Sequence, residues 1–64
     1  MTAKEKKAVT KAIETYNYWV EHNMIIDKWE NVDYDNTMNY ENINGDVVAV
    51  ERDENGNIIY AWEN

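Results

Sequence analysis

Two similar turns enclose one apolar segment, and this arrangement limits the possible folds more than any other feature of the sequence. The segment Asp46–Arg52 has the composition of a central β-strand. Asn42-Ile43-Asn44-Gly45 precedes it and Asp53-Glu54-Asn55-Gly56 follows it. Each turn ends in Asn-Gly, the strongest hairpin signal in a short stretch of sequence. The pattern predicts a three-stranded antiparallel meander with strands over about residues 38–42, 46–52 and 57–63.

The length of each loop decides which side chains share a face of this sheet. A two-residue loop at Asn55-Gly56 would place Ala61 opposite Val50, whereas a three-residue loop would place Tyr60 there. The three-residue loop suits Asp at the first turn position and Gly at the fourth. It also gathers the apolar residues on one face, and a slip by one residue would reverse that. The predicted core face therefore holds Tyr40, Val48, Trp62, Met38, Val50 and Tyr60, with Ile58 and Arg52 at one end.

A helix is predicted at the N-terminus. Thr2-Ala3-Lys4-Glu5 has the form of a capping box, with Thr at the N-cap and Glu three residues later. An apolar stripe at helical spacing follows and is expected to pack on the sheet. Its members are Val9, Ala12, Ile13, Tyr16, Trp19, Val20 and Met24.

A second apolar stripe complicates the helix. It comprises Tyr18, Ile25, Trp29 and Val32, with His22 among them. An unbroken helix to Glu30 would run about 42 Å, whereas strands of six or seven residues span about 20–24 Å. We therefore expect a bend or break near His22-Asn23, because Asn tolerates the left-handed conformation. A short second helical segment over Met24–Glu30 would then fold back; a straight helix would instead expose the stripe as a dimer or partner surface.

These elements predict one small α+β domain over residues 1–64. A helix of about residues 3–30, bent or broken near His22-Asn23, would pack on the meander in two layers. No apolar run is long enough to cross a membrane. The absence of Cys excludes disulfides and agrees with a cytoplasmic location.

Charge and composition limit the possible functions. Six basic and thirteen acidic residues give a net charge of −7, which disfavours direct nucleic-acid binding and favours basic partners. The chain has no Ser or Cys nucleophile and a single His, so we expect neither enzyme activity nor a cofactor. Asp53-Glu54-Asn55-Gly56-Asn57 matches the start of a calcium loop, but Ile58 and Asn64 break the pattern, so no metal site is predicted.

The outer face of the predicted sheet has an apolar centre and an acidic border. The predicted rows are Glu41–Val47–Glu63, Asn39–Ala49–Ala61 and Thr37–Glu51–Ile59. Such a face is either a half-solvated sheet surface or a docking patch. In the second case the protein-binding residues would be Glu41, Val47, Glu51, Asp53, Glu54, Ile59 and Glu63.

Two functions fit these features. The first is a small non-enzymatic binding module that inhibits or regulates a larger protein by docking on its basic surface, for example that of a nucleic-acid-binding enzyme. It could act as a nucleic-acid mimic, with carboxylates in place of phosphates, as small phage inhibitors do. The alternative is a self-associating structural or accessory protein, a homodimer formed through the outer face or through the stripe of Tyr18, Ile25 and Trp29.

Overall fold

One helix packs on a four-stranded antiparallel sheet. The computed structural model describes every residue from Met1 to Asn64. Its elements are α1 (Ala3–Glu21), β1 (Ile25–Glu30), β2 (Thr37–Asn42), β3 (Val47–Arg52) and β4 (Ile58–Glu63). The strands lie in the order β1-β2-β3-β4, and α1 lies over β4 and β3. The α+β class is confirmed, whereas the prediction of three strands is wrong.

The helix begins and ends where its local sequence indicates. The Thr2 hydroxyl accepts a hydrogen bond from the Glu5 amide at 3.1 Å, and the Glu5 carboxylate accepts one from the Thr2 amide at 3.4 Å. These two bonds form the predicted capping box. At the other end His22 is the C-cap and Asn23 adopts a φ of 55°. The predicted break near His22-Asn23 is therefore confirmed.

The segment after the break is a strand rather than a second helical turn. The predicted helix over Met24–Glu30 is wrong, since β1 pairs with β2 and places Lys28 opposite Tyr40 and Trp29 opposite Asn39. A helix of seven residues is marginal because its nucleation is costly. Pairing with the free edge of β2 instead satisfies the backbone groups of the segment. Pairing with β2 therefore determines the structure of this segment, although its apolar residues have helical spacing.

The second stripe does not form one surface. Tyr18 is exposed on α1 and its ring stacks on His22 at 3.9 Å. Ile25 packs against the core, whereas Trp29 lies on the opposite side of the sheet. Val32 lies in the loop that follows β1 and is 95% exposed. The structure thus removes the basis for a dimer through a continuous helical stripe.

The two turns are built alike, as predicted. Gly45 and Gly56 have φ angles of 84° and 87°. In each turn the side-chain oxygen of the first residue, Asn42 or Asp53, accepts hydrogen bonds from the backbone N–H groups two and four residues later, at 2.9–3.0 Å. Both turns therefore need Gly at the fourth position, because its φ is positive.

The first hairpin has the predicted register, whereas the second departs from it beyond its turn. Val48 lies opposite Tyr40, and Val50 lies opposite Met38, as predicted. In the second hairpin Arg52 pairs with Ile58, but Ile59 is then skipped as a β-bulge. The bulge moves the rest of β4 by one residue and exchanges its two faces. The prediction that Tyr60 and Trp62 face the core is therefore wrong.

Close contact between α1 and β4 explains this register. The bulge places Ala61 opposite Val50 on the helix side of the sheet. Ala61 and Ala12 of α1 are both fully buried within one apolar cluster. A Trp or Tyr at the position of Ala61 would prevent the helix from approaching the sheet so closely. The other buried members of the cluster are Tyr16, Trp19, Tyr40, Val48 and Val50.

Arg52 joins the helix to the second turn. Its Nη2 donates a hydrogen bond to the Tyr16 hydroxyl at 2.9 Å, and its Nη1 donates one to the Gly56 carbonyl at 3.0 Å. Its guanidinium carbon lies 5.6 Å from the centre of the Tyr16 ring. Burial raises the pKa of the Tyr16 phenol, so the group that accepts from Arg52 is the neutral hydroxyl. The only Arg of the chain is thus used in folding.

The two tryptophans of α1 and β4 should differ in their importance for stability. Trp19 is 6% exposed, so Trp19→Ala should lower the free energy of unfolding by about 3–5 kcal/mol. Trp62 lies on the face away from α1, so Trp62→Ala should lower the free energy of unfolding by clearly less than Trp19→Ala does. Urea denaturation followed by circular dichroism measures both values. Equal losses for the two variants would contradict the bulged register.

Substitution of either turn glycine should destabilise the protein through the backbone alone. A Cβ atom at Gly45 or Gly56 would meet no heavy atom within 4 Å. Gly45→Ala should therefore lower the free energy of unfolding by about 1 kcal/mol, because an Ala residue disfavours the left-handed conformation that Gly45 adopts. Gly45→Asn is the matched control and should cost less, because Asn23 and Asn36 already adopt such φ angles. Equal stability of the Ala variant and the wild type in thermal unfolding would contradict this account.

Candidate functional site

The sheet face that points away from α1, the open face, carries side chains from all four strands. The register places these residues on it because they alternate with the residues that pack beneath the helix. Its members are Asp27, Trp29, Thr37, Asn39, Glu41, Val47, Ala49, Glu51, Tyr60 and Trp62.

One row of the open face runs across the whole sheet. Trp29 lies opposite Asn39, Asn39 opposite Ala49, and Ala49 opposite Trp62. The two tryptophans therefore stand on the two edge strands, with smaller side chains between them. Asn39 and Ala49 are buried, whereas Trp29 is 40% exposed. The Asn31 side chain donates a hydrogen bond to the Asn39 side chain at 3.3 Å, so the buried Asn39 amide has a partner.

Three aromatic rings gather at one end of the open face and form the aromatic cluster. The Tyr34 ring meets the Trp62 ring edge-on, with 5.2 Å between centroids and 73° between planes. The Tyr60 ring lies 5.8 Å from the Trp62 ring. Together with Glu51, these three rings line a cavity of about 440 Å³. Glu51 lies directly opposite Tyr60 in the sheet.

The loop between β1 and β2 positions Tyr34. The side-chain oxygen of Asn31 accepts hydrogen bonds from the amides of Asp33 and Tyr34 at 2.9 Å and 3.1 Å. The loop ends at Asn36, whose carbonyl accepts a hydrogen bond from the Arg52 amide at 3.0 Å. Tyr34 is still 60% exposed, so it is held by its backbone and by Trp62 rather than by burial.

The charges of the open face all have one sign. Its charged members are Asp27, Glu41 and Glu51, and none of its residues is Lys or Arg. Asp27 and Glu41 lie opposite each other, an arrangement that destabilises a sheet because like charges repel. The carboxylates thus create a field that a cationic ligand would neutralise.

The structure places three of the seven predicted protein-binding residues on the open face. Glu41, Val47 and Glu51 lie there, each partly buried. Glu63 pairs with Val48 on the helix side, and Ile59 is the bulge residue, 52% exposed. The outer-face position predicted for Glu63 is wrong because the bulge shifts β4 by one residue, and the predicted pairing of Ile59 with Glu51 is wrong because Tyr60 takes that place.

The remaining two predicted residues lie in the second turn. The Asp53 carboxylate accepts hydrogen bonds from the amides of Asn55 and Asn57, so it is used within its own turn. Glu54 is exposed beside it. No three His, Cys, Asp or Glu side chains approach each other closely enough to form a group that could hold a metal ion. These carboxylates can therefore contribute charge at the border of the open face.

Sequence reasoning missed most of the aromatic part of the site. Trp29, Tyr60 and Trp62 were expected in the helix or the core, and Tyr34 in an ordinary connection. Alternation in Ile25–Glu30 is too short a signal to distinguish a strand from a helix. The bulge leaves no signature of its own in the sequence, so the exposed side of β4 could not be identified.

Other surface features offer less chemistry. A groove of about 790 Å³ follows one side of α1, where Lys4, Lys7 and Lys11 line it, and all three are exposed. The only His, His22, holds its Nδ1 atom 2.9 Å from the Tyr18 carbonyl. α1 lacks the run of apolar residues that a membrane-crossing helix requires. The open face is therefore the best candidate for a functional surface.

The Asp53 carboxylate should make folding sensitive to acid. Hydrogen bonds from the Asn57 backbone, followed by those from Asn55 and the Asn57 side chain, lower its pKa. A lowered pKa stabilises the folded state above the unfolded pKa of about 4, and this contribution is lost as the pH falls through the folded pKa. In Asp53→Asn this part of the pH dependence should vanish while the turn persists, because Asn42 makes the same bonds in the first turn.

Urea denaturation of the wild type and Asp53→Asn between neutral pH and pH 2 measures this difference. Identical pH profiles for the wild type and Asp53→Asn would show that the hydrogen bonds to Asp53 do not depend on its charge.

Comparison with known proteins gives no assignment for this surface. No protein-family model matches the chain, and neither a search of curated proteins nor a search of solved structures finds a match. A functional interpretation of the open face therefore rests on its geometry and charge alone.

Proposed function

We propose that the protein is a non-enzymatic binding module that inhibits or regulates a larger protein by docking its open face on a basic surface. The observation that carries this proposal is the combination of uniformly negative charge and uncovered aromatic surface on one face of the sheet. α1 covers the other face, whereas on the open face the loop between β1 and β2 contacts the row through Asn31 and Tyr34 and leaves the Trp29 and Tyr34 rings exposed.

The apolar part of the open face would supply the contact energy. Trp and Tyr are enriched among the residues that dominate protein interfaces, because they bury much area with few rotatable bonds. Val47 and Trp62 are partly exposed, so contact with a partner would remove further apolar surface from water. Full burial of one side chain such as Val47 stabilises a complex by about 1.5–3 kcal/mol at most.

The carboxylates would supply attraction and orientation. Asp27, Glu41 and Glu51 lie on the face, and Asp53 and Glu54 lie at the adjoining turn. Such rim charges act mainly on the association rate and on salt sensitivity. A nucleic-acid-binding protein is the expected partner, because its basic surface binds a row of phosphates and could bind these carboxylates in the same way. The protein would then compete with nucleic acid, as a mimic with carboxylates in place of phosphates.

A homodimer through the open face is the second candidate. The exposed aromatic rings of Trp29 and Tyr34 support it, since large apolar side chains at a surface often mark an interface. In a two-fold dimer the same patch meets itself. Each group of carboxylates would then face a second like-charged group, which opposes association. Sedimentation at increasing concentration separates the two candidates, because a protein that stays monomeric excludes the dimer.

The proposal predicts that binding depends on charge at the open face rather than on net charge. The protein is immobilised, captured proteins are eluted with increasing salt and identified by mass spectrometry, and the purified partner is then measured by surface plasmon resonance. Glu41→Lys should slow association of this partner, since it reverses a charge on the open face. Val47→Asp should speed dissociation because it removes a central apolar contact.

Glu63→Lys is the matched control, since it makes the same change in net charge on the helix side of β4. It should leave association almost unchanged. Equal effects of Glu41→Lys and Glu63→Lys, or binding that does not weaken with salt, would contradict docking through the open face.

A further inference from the structure

We infer that the aromatic cluster and Glu51 form a pocket for an arginine side chain of the partner. This inference rests on the proposed function, because it names the group that the open face would recognise. Three rings and one carboxylate line the same cavity of about 440 Å³, with the Tyr34 and Tyr60 rings 5.2 Å and 5.8 Å from that of Trp62.

The cavity combines the two features that bind a cation. Aromatic rings attract cations through the negative potential of their faces, most strongly for Trp. A carboxylate beside the rings adds a full negative charge and can accept two hydrogen bonds. Glu51 takes part in none of the side-chain hydrogen bonds of the chain, so its oxygens are free to accept from a ligand.

The protein already contains one arginine on a tyrosine ring, on the opposite side of the sheet. Arg52 lies 5.6 Å from the centre of the Tyr16 ring and donates a hydrogen bond to its hydroxyl. The aromatic cluster has no such cation of its own, because the neighbouring basic residues of the sheet, Lys28 and Arg52, both belong to the helix side. A cation from outside the chain would fill the equivalent role on the open face.

Arginine fits this pocket better than lysine. A guanidinium group is planar, so it can stack on an aromatic ring while its N–H groups pair with a carboxylate. It is also less strongly hydrated than an ammonium group, so its transfer from water to an aromatic surface costs less. The Trp62 and Tyr34 planes, at 73° to each other, offer two differently oriented aromatic surfaces beside Glu51.

The test uses the intact protein and a small probe, so it does not require the partner. ¹⁵N-labelled protein is titrated with Nα-acetyl-arginine amide, and separately with Nα-acetyl-lysine amide at the same ionic strength. The arginine compound should shift the indole N–H signal of Trp62. The signals of Trp19, which is in the core, and Trp29, at the other end of the aromatic row, should change little.

Variants then identify the groups that bind the probe. Glu51→Gln and Tyr34→Ala should each weaken arginine binding by about tenfold or more, as expected for loss of a charge partner or of a ring. Glu63→Gln on the helix side of β4 and Tyr18→Ala on α1 are the matched controls and should leave it unchanged. Circular dichroism confirms that each variant is folded, which is expected because Tyr34 and Tyr18 are exposed.

Three outcomes would overturn the pocket: no shift of the Trp62 signal, equal or tighter binding of the lysine compound, or arginine binding that survives both Glu51→Gln and Tyr34→Ala. Failure of the pocket is distinguishable from failure of the proposed function. If only the pocket fails, the partner still responds to Glu41→Lys and to salt. If only docking fails, the arginine titration retains its dependence on Glu51.

Discussion

The close approach of α1 to β4 is the constraint on which the rest of the structure depends. Ala12 and Ala61 are both fully buried where the two elements meet, and larger side chains would separate them. The bulge at Ile59 is what brings Ala61 to this position. It also turns Tyr60 and Trp62 to the other side of the sheet. One extra residue in β4 thus closes the core and creates the aromatic end of the open face.

The sequence was sufficient for features that are decided locally. The capping box at Thr2, the break near His22-Asn23 and both glycine turns depend on a few adjacent residues, and all were predicted, although the helix was expected to resume after the break. β1 and the register of β4 depend instead on contacts with distant segments. Ile25–Glu30 becomes a strand because the edge of β2 is free to pair, and the bulge forms because α1 needs a small residue beneath it. Neither requirement is visible in the segment itself.

The same division applies to the candidate site. Glu41, Val47 and Glu51 were assigned to the correct face because the first hairpin fixes their register, whereas Glu63 follows the bulge and was assigned to the wrong face. Ile59 is the bulge residue itself. The two sides of the sheet differ in their chemistry. The helix side uses Arg52 and Tyr16 for folding. The open face keeps carboxylates and rings without a basic residue, and this separation of charge underlies both proposals.

The position of Trp62 is the point on which core and site both depend, and nuclear Overhauser effects measure it most directly. Cross-peaks between the Trp62 indole and the Tyr34 ring are predicted, because their centroids lie 5.2 Å apart on the open face. Cross-peaks between the methyl groups of Ala61 and Ala12 should accompany them. Contacts of the Trp62 indole with Trp19 or Tyr16 in the core would contradict the bulged register and the open face derived from it.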